Sequence, residues 1–156
     1  NHMDDQYVGQ HNGLVQLGAA ARHFGRQPSV DILETFENRD TKTPYLIQFS
    51  TAEFSSLCPK TGQPDFAFFD LRYVPNKKCI ESKSLKLYLF SYRNEGQFME
   101  SITNQMLRHF VEACDPLGME VKMHFNARGG IRTNVTARHF ADGCKIDEVK
   151  ALLLGV

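Results

Sequence analysis

The spacing of apolar and polar residues divides the chain into short strands and helices. Residues 45–49 and 66–74 are rich in β-branched and aromatic side chains, which predicts two strands. Residues 120–125 alternate between apolar and polar positions and predict a third strand. Residues 131–136 predict a fourth strand, after a turn at residues 128–130. We expect these strands to pair in one antiparallel sheet.

The spacing of apolar residues predicts a helix clearly in one central segment and only weakly in another. Residues 97–114 predict an amphipathic helix that ends before Pro116. Its apolar positions are Phe98, Ile102, Met106, Phe110, Val111 and Cys114. Residues 84–92 fit either a buried strand or a buried helix, and their spacing favours the helix only slightly. A last short helix is predicted over residues 147–154.

The order strand, strand, helix, helix, strand, strand indicates an α+β fold, with an antiparallel sheet and two helices on one face. Residues 43–156 are predicted to form this single domain, which is long enough to bury a core without crosslinks. Residues 1–42 are mainly polar and small, with few apolar residues before residues 30–36, and predict a flexible arm. The opening Asn1-His2-Met3 resembles a cloning remnant, which makes Met3 the expected native start.

Composition narrows the classes of function. Eighteen basic residues balance eighteen acidic ones, so the net charge is zero and no direct nucleic-acid partner is expected. No apolar run approaches the roughly 20 residues that span a bilayer, and no secretory leader pattern is present, so we expect a cytoplasmic protein. The four cysteines lack a C-x-x-C pair and are expected to be free thiols. The six histidines lack metal-ligand spacing, so no metal is predicted.

Cys58 lies in a turn-rich stretch rather than on an apolar face of a helix or strand. Pro59, Gly62 and Pro64 exclude a helix or an interior strand there. The turns they provide can bring Asp65 back towards the thiol. A thiolate with a nearby proton donor is the minimum for covalent attack on a carbon–heteroatom multiple bond. The residues alone leave a second interpretation open, a loop cysteine without a role and an aspartate that caps a turn.

Four motifs resemble those of the NADPH-dependent 7-cyano-7-deazaguanine reductases, which are nitrile oxidoreductases of queuosine biosynthesis, a tRNA-modification pathway. Residues 53–66, EFSSLCPKTGQPDF, resemble the active-site loop of that family, and residues 81–88, ESKSLKLY, resemble its cofactor-associated motif. Residues 93–100, RNEGQFME, and residues 128–131, RGGI, follow in the family's order and spacing. The resemblance extends from about residue 45 to residue 136.

The resemblance implies the tunnelling fold (T-fold), shared with GTP cyclohydrolase, in which subunits close their sheets into a ring. It implies a homo-oligomer similar to decamers of two stacked pentamers. It also implies that residues 84–92 are helical. NADPH would be the cofactor, although the chain has no G-x-G-x-x-G motif for a dinucleotide.

The resemblance also implies a mechanism. The Cys58 thiolate would add to the nitrile carbon to form a thioimide, and Asp65 would shuttle the proton. Two hydride deliveries from NADPH would then yield 7-aminomethyl-7-deazaguanine. Lys83, Lys86 and Arg128 would supply positive charge for the NADPH phosphates. On pattern alone, two such lysines are typical of a solvated face.

Substrate contacts follow from the same motifs. Glu100 matches the carboxylate with which tunnelling-fold enzymes bind a purine-like ring, since a carboxylate can accept two N–H hydrogen bonds. Ile80, Glu81, Ser82 and Met99 are the other expected contacts. Without the resemblance, Ser82 would be a helix cap and Glu81 would face water. Met99 stands where the family commonly has histidine, and a thioether can pack on the ring but cannot transfer a proton.

Two other functions remain compatible with part of the pattern. An amidine-forming relative would build the same thioimide on Cys58 and release it to an amine, but the cofactor motif at residues 81–86 argues against it. A non-catalytic purine-binding ring protein would not need both Cys58 and Asp65. The NADPH-dependent reductase is therefore the leading hypothesis.

Overall fold

The computed structural model describes residues 26–156, so residues 1–25 of the predicted arm lie outside the described residues. The strands and helices, numbered in chain order, are β1 (Thr35–Glu37), β2 (Ile47–Leu57), β3 (Pro64–Val74), β4 (Lys78–Ile80), α1 (Ser82–Phe90), α2 (Met99–Cys114), β5 (Gly118–Arg128), β6 (Ile131–Phe140) and α3 (Ile146–Leu154). A 3₁₀ turn at Val30–Ile32 precedes β1.

The main sheet has four antiparallel strands in the order β2-β3-β5-β6. This confirms the α+β class and the predicted succession of two strands, two helices and two strands. β1 and β4 pair in a separate two-stranded sheet that the sequence did not reveal. Each of these strands has three residues, which is too few for alternation to be recognised.

Both central helices are present. The ambiguous segment at residues 84–92 lies largely in α1, so the helix is confirmed there. The helix predicted over residues 97–114 is α2, which begins two residues later and ends at Cys114 as expected. Asp115 follows α2 in a left-handed conformation, with φ 44°, which ends the helix.

Alternation along β3 and β5 builds the core on one face of the sheet. The buried core residues on these strands are Ala67, Phe69, Leu71, Tyr73, Met119, Val121, Met123 and Phe125. The core residues that α1 and α2 place over this face include Leu85, Tyr88, Ile102, Met106 and Phe110. Removal of this apolar surface from water is the main term that stabilises the fold.

The C-terminal helix α3 packs on the opposite face, so the prediction of two helices on one face was incomplete. Val149 lies against Gly118 of β5, where any Cβ would clash with the valine side chain. The next residue, Met119, points into the core, so Gly118 faces the other way. Glycine at this position therefore allows α3 to approach the sheet closely.

The turn-rich stretch is shorter than predicted. Residues 58–63 form the turn, but the interior strand β3 begins at Pro64 and includes Asp65. The exclusion of an interior strand was therefore wrong for these two residues. Pro64 is tolerated because it is the first residue of its strand. β2 continues through residues 50–57, whose mostly polar side chains hid the strand from the sequence pattern.

Part of the predicted arm packs on the core. Ile32 and Leu33 are buried, and the backbone N–H of Glu81 donates to the carbonyl of Glu34 at 2.9 Å. Residues 26–42 therefore help to hold the start of α1. No helix within residues 26–156 is long and apolar enough to cross a membrane.

Candidate active site

A bulge in β2 determines the side of the sheet on which Cys58 leaves the strand. Thr51 pairs with Phe69 but Phe54 pairs with Ala67, so β2 carries one extra residue between these pairs. The extra residue reverses the alternation, and Phe54 and Ser56 become the buried positions after it. Cys58 follows Ser56 by two residues and so leaves the strand towards the core side.

A second bulge, in β5, reverses the side of Arg128. Phe125 pairs with Thr133 but Arg128 pairs with Ile131, so β5 also carries one extra residue. Without it, Arg128 would point away from the face that contains Phe125. With it, Arg128 Nη1 lies 2.9 Å from Oδ1 of Asp65, which is on the core side of β3. The two bulges thus bring three predicted site residues to one end of the sheet.

The strand order makes this meeting possible. β3 lies between β2 and β5, so the β2–β3 turn and the β5–β6 turn are neighbours at the same end of the sheet. The β5–β6 turn is made by Gly129 and Gly130, whose φ angles of 58° and 77° favour glycine. The glycine pair at residues 129–130 therefore keeps this hairpin tight directly after Arg128.

The Cys58 loop is held by its own backbone. Cys58 N–H donates to the carbonyl of Gln63 at 2.8 Å, and Gly62 N–H donates to the carbonyl of Cys58 at 2.9 Å. The Thr61 hydroxyl, the backbone N–H groups of Thr61 and Lys60, and the Arg128 guanidinium lower the pKa of Cys58 from 9.0 to about 6. A thiol with this pKa is mostly thiolate at pH 7 and is therefore a nucleophile.

Asp65 is buried beside this loop. Its side chain is 5% exposed, and Arg128 supplies a direct ion pair. The cross-strand neighbour of Asp65 is Ser56, which is fully buried. Within residues 26–156, the Ser56 hydroxyl has no hydrogen-bond partner. This end of the sheet therefore combines a thiolate, a carboxylate, a guanidinium and one unsatisfied hydroxyl.

The segment that leads into α2 lies against the Cys58 loop. Leu57 N–H donates to the carbonyl of Glu95 at 2.9 Å, and a Cβ on Gly96 would lie 3.5 Å from Cα of Pro59. The first turn of α2 follows, with Met99 half-buried and Glu100 exposed. Met99 and Glu100, which are predicted to contact a purine-like ring, therefore follow by three and four residues the Gly96 contact with the Cys58 loop.

The start of α1 differs from the interpretation based on pattern alone. Glu81, not Ser82, is the N-cap, and its two carboxylate oxygens accept from the backbone N–H groups of Lys83 and Ser84 at 2.8 Å each. Ser82 is the first helical residue. Ile80 is buried, and its backbone N–H donates to the hydroxyl of Tyr73 at 2.9 Å.

A groove of about 510 Å³ lies between β2 and α1. Its polar and charged lining residues include Ser82, Lys86 and Arg93, and its aromatic ones are Phe49, Phe54, Phe69 and Phe90. Cys58, Asp65 and Glu100 do not line this groove. One chain therefore gathers Cys58, Asp65 and Arg128 at the turn end of the sheet, and separately gathers Ser82 and Lys86 in the groove.

Sequence reasoning missed two residues of these sites. Thr61 received no role, although its hydroxyl is the largest cause of the low pKa of Cys58. Arg93 also received none, although it lines the groove with its guanidinium 4.7 Å from the ring centroid of Phe90. Within residues 26–156, no group of three or more His, Cys, Asp or Glu side chains is placed to hold a metal ion.

The family model and the curated relatives that match this chain agree with each other. A family model described as QueF-like protein matches residues 64–143. The NADPH-dependent 7-cyano-7-deazaguanine reductase of Halorhodospira halophila is 53% identical over 107 residues, which cover 69% of this chain and 91% of that protein. The protein of the same name from Streptococcus mutans is 44% identical over 141 residues, covering 90% of this chain and 87% of that one.

A solved structure shares the fold. The crystal structure of the archaeosine synthase QueF-Like in the apo form has a TM-score of 0.59 and 22% sequence identity with this chain. The similar region covers 64% of this chain and 98% of that one. At this identity the likeness concerns the arrangement of strands and helices only.

Proposed function

The chain belongs to the family of NADPH-dependent 7-cyano-7-deazaguanine reductases, as its motifs predicted, and we propose that it reduces the nitrile of that substrate with Cys58 as nucleophile. The product is the primary amine, 7-aminomethyl-7-deazaguanine, for queuosine biosynthesis. The observation that carries the proposal is the Cys58 thiol, whose pKa of about 6 makes it a thiolate at neutral pH beside the Asp65–Arg128 ion pair.

Cys58 and Asp65 perform the covalent step. The sulfur attacks the nitrile carbon, a C–S bond forms, and one π bond of the C≡N group breaks to leave a thioimide. Because Cys58 is already mainly thiolate at pH 7, the proton that the nitrogen gains comes from solvent, and Asp65 passes it to the nitrogen, where negative charge would otherwise develop. Covalent addition matters because it converts a poor hydride acceptor into a more electrophilic C=N group.

The residues present fit NADPH. Lys86 and Arg93 line the groove between β2 and α1, and Lys83 is exposed one turn before Lys86, so positive charge suited to phosphates lies on one surface. We propose that Lys83 and Lys86 on this surface, together with Arg128 from the turn end of the sheet, hold the cofactor phosphates. When bound, NADPH would supply two hydrides for the conversion of the C=N group to an amine, and the C–S bond breaks between them so that Cys58 leaves as the thiolate.

We propose that Glu100 binds the purine-like ring by accepting two N–H hydrogen bonds. Its exposure in the first turn of α2, four residues after the Gly96 contact with the Cys58 loop, supports this role. Met99 packs on the ring, and Ile80, Glu81 and Ser82 provide further contacts. Glu81 can still accept a substrate N–H while it caps α1, because each carboxylate oxygen has two lone pairs.

Because Ser82 lines a groove that does not include Cys58, we propose that two subunits complete each site. The assembly is a tunnelling-fold ring, expected as a decamer of two stacked pentamers. The edge strands β2 and β6 support it, since exposed strand edges pair readily with a neighbour. Light scattering after size-exclusion chromatography tests this proposal, and a monomer in solution would contradict it.

The free cysteines support a reducing location for the protein. Cys58, Cys79, Cys114 and Cys144 are all free, as expected in a reducing compartment. We propose that the protein acts in the cytoplasm.

The reaction is tested by mixing the protein with NADPH and 7-cyano-7-deazaguanine and following the NADPH absorbance. We expect nitrile-dependent oxidation and, without NADPH, a covalent adduct in the mass spectrum. Cys58→Ala should abolish both signals, while Cys144→Ala, at another half-exposed free cysteine, should leave both intact. An adduct without oxidation would favour an amidine-forming relative. Neither signal would favour a non-catalytic purine-binding protein.

A further inference from the structure

We propose that Arg128 is a positioning residue of the covalent step, because its guanidinium holds the Asp65 carboxylate beside the Cys58 loop before any cofactor binds. This deepens the proposed function and rests on Cys58 and Asp65 being its nucleophile and proton carrier. It gives Arg128 a task that is separate from contact with a cofactor phosphate.

The backbone around Arg128 is built to aim it at Asp65. The extra residue between Phe125 and Arg128 reverses the side on which Arg128 points, and the partner strand shows no matching extra residue. Bulges often serve to redirect a side chain next to an active site. If Arg128 served only as a surface cation for a phosphate, regular pairing would expose it equally well.

The environment of Asp65 requires a partner of this kind. The Asp65 side chain is 5% exposed, while that of Arg128 is 39% exposed. A carboxylate removed from water is costly unless a charge or hydrogen bonds compensate it, and Nη1 of Arg128 lies 2.9 Å away. The guanidinium therefore determines where the carboxylate points.

Arg128 also reaches Cys58. After the Thr61 hydroxyl and the backbone N–H groups of Thr61 and Lys60, Arg128 contributes to the lowered pKa of Cys58. The charged residues on the segments next to the thiol are Lys60 on its own loop, Asp65 on β3, Arg128 on β5, and Glu95 on the segment that contacts Leu57. Loss of Arg128 would leave the buried Asp65 carboxylate without its ion-pair partner beside the Cys58 loop, which disfavours the thiolate.

Adduct formation without NADPH separates the two roles of Arg128. In that step the thiolate sulfur bonds to the nitrile carbon, one C≡N π bond breaks, and a proton from solvent moves through Asp65 to the nitrogen, so no reductant is consumed. A positioning residue affects this step, whereas a residue that only binds a cofactor phosphate does not.

The experiment measures the rate of adduct formation in Arg128→Gln, Arg128→Lys and Arg132→Gln. Samples are quenched at set times, and the adduct is quantified by mass spectrometry. Arg132 is the matched control, because it is an exposed arginine on the partner strand of the same hairpin. We expect a loss of about tenfold or more in Arg128→Gln, a smaller loss in Arg128→Lys, and less than about a twofold change in Arg132→Gln. Circular dichroism checks that each variant is folded.

An unchanged adduct rate in Arg128→Gln and Arg128→Lys, with a raised KM for NADPH, would overturn the inference and leave Arg128 as a cofactor contact. If the unmodified protein forms no adduct, the proposed function fails instead. Alkylation of Cys58 by iodoacetamide then decides the case for Arg128. A higher pH midpoint of alkylation in Arg128→Gln but not in Arg132→Gln would support its action on Cys58, and equal midpoints would refute it.

Discussion

Cys58 and Cys114 have the same side chain, but their thiols differ in acidity and accessibility and therefore in reactivity. Cys58 follows β2 in a half-exposed turn, where the Thr61 hydroxyl above all lowers its pKa to about 6. Cys114 ends α2 inside the core, where burial raises its pKa to about 12. The difference shows that local donors at a strand end, not the residue type, make one cysteine of this chain a nucleophile.

The buried helix layer also contains polar groups, but they satisfy one another. The Tyr88 hydroxyl lies 3.0 Å from that of Tyr92 and 2.7 Å from Nδ1 of His109, and Tyr92 donates to Gln105 at 2.9 Å. Burial raises the pKa of both tyrosines and lowers that of His109, so this network is neutral at pH 7. The layer stabilises the fold, whereas the turn end of the sheet concentrates the charge.

The largest expected effect is the selectivity of alkylation between the two cysteines. At pH 7 we expect iodoacetamide to modify Cys58 at least about a thousandfold faster than Cys114, because only Cys58 is mainly thiolate and accessible. Peptide mapping by mass spectrometry measures both rates. In urea the two should react alike. Comparable alkylation rates in the folded protein would show that Cys58 and Cys114 do not differ in thiolate content and accessibility.

The next effect tests whether the core and the site are independent. Phe110→Ala should lower the free energy of unfolding by about 3–5 kcal/mol, because Phe110 is fully buried against the rings of Phe69 and Tyr88. Phe36→Ala, at an exposed phenylalanine, should change it by less than about 1 kcal/mol. Urea unfolding measures both. A shift in the alkylation midpoint of Cys58 in folded Phe110→Ala would show that the regions are coupled.

The sequence predicted the strands and helices with regularly spaced buried apolar residues better than the segments rich in polar residues. Residue composition, alternation and turn signals located the four strands of the main sheet, and spacing of three and four residues located α2, whereas at α1 that spacing favoured a helix only slightly. These signals are strong because each buried face repeats several times. The second half of β2 was missed because an edge strand with polar side chains loses this repetition.

The site was predictable as chemistry but not as geometry. Cys58 and Asp65 were singled out in the turn-rich stretch, but the residues alone left an interpretation without a role open, and the resemblance to the family assigned their roles. The pairing of Arg128 with Asp65 depends on a bulge before Arg128, and the sequence around it gives no distinctive signal. The cap of α1 was assigned to Ser82 by residue preference, but Glu81 has the extended backbone that capping requires.

Removal of the Thr61 hydroxyl should have an intermediate effect confined to the site. In Thr61→Val we expect the pKa of Cys58 to rise from about 6 by about one unit, since the largest stabilising contact of the thiolate is lost. The rate of iodoacetamide alkylation against pH gives the midpoint. Thr136→Val, at an exposed threonine of β6, is the control and should leave it unchanged. An unshifted midpoint in Thr61→Val would mean that the backbone donors and Arg128 hold the thiolate without the Thr61 hydroxyl.

The two thiols should also affect stability with opposite signs. The folded pKa of Cys58 is depressed, so its contribution is complete above pH 9 and is lost as pH falls from 9 through 6. The folded pKa of Cys114 is raised, so its contribution is complete below pH 9 and is lost as pH rises towards 12. Urea unfolding of the unmodified protein and Cys58→Ala between pH 9 and 6 checks the first sign. A difference that grows as pH falls would contradict it.

The smallest expected effect concerns Ser56, the buried neighbour of Asp65. Because its hydroxyl has no partner within residues 26–156, Ser56→Ala should be neutral or slightly stabilising, within about 1 kcal/mol. Ser84 is the matched control, since its hydroxyl accepts from the backbone N–H of Glu34 at 2.9 Å and donates to the carbonyl of Glu81 at 2.8 Å. Ser84→Ala should therefore cost about 1–3 kcal/mol. Equal losses in urea unfolding would contradict this expectation and show that the Ser56 hydroxyl makes a stabilising hydrogen bond.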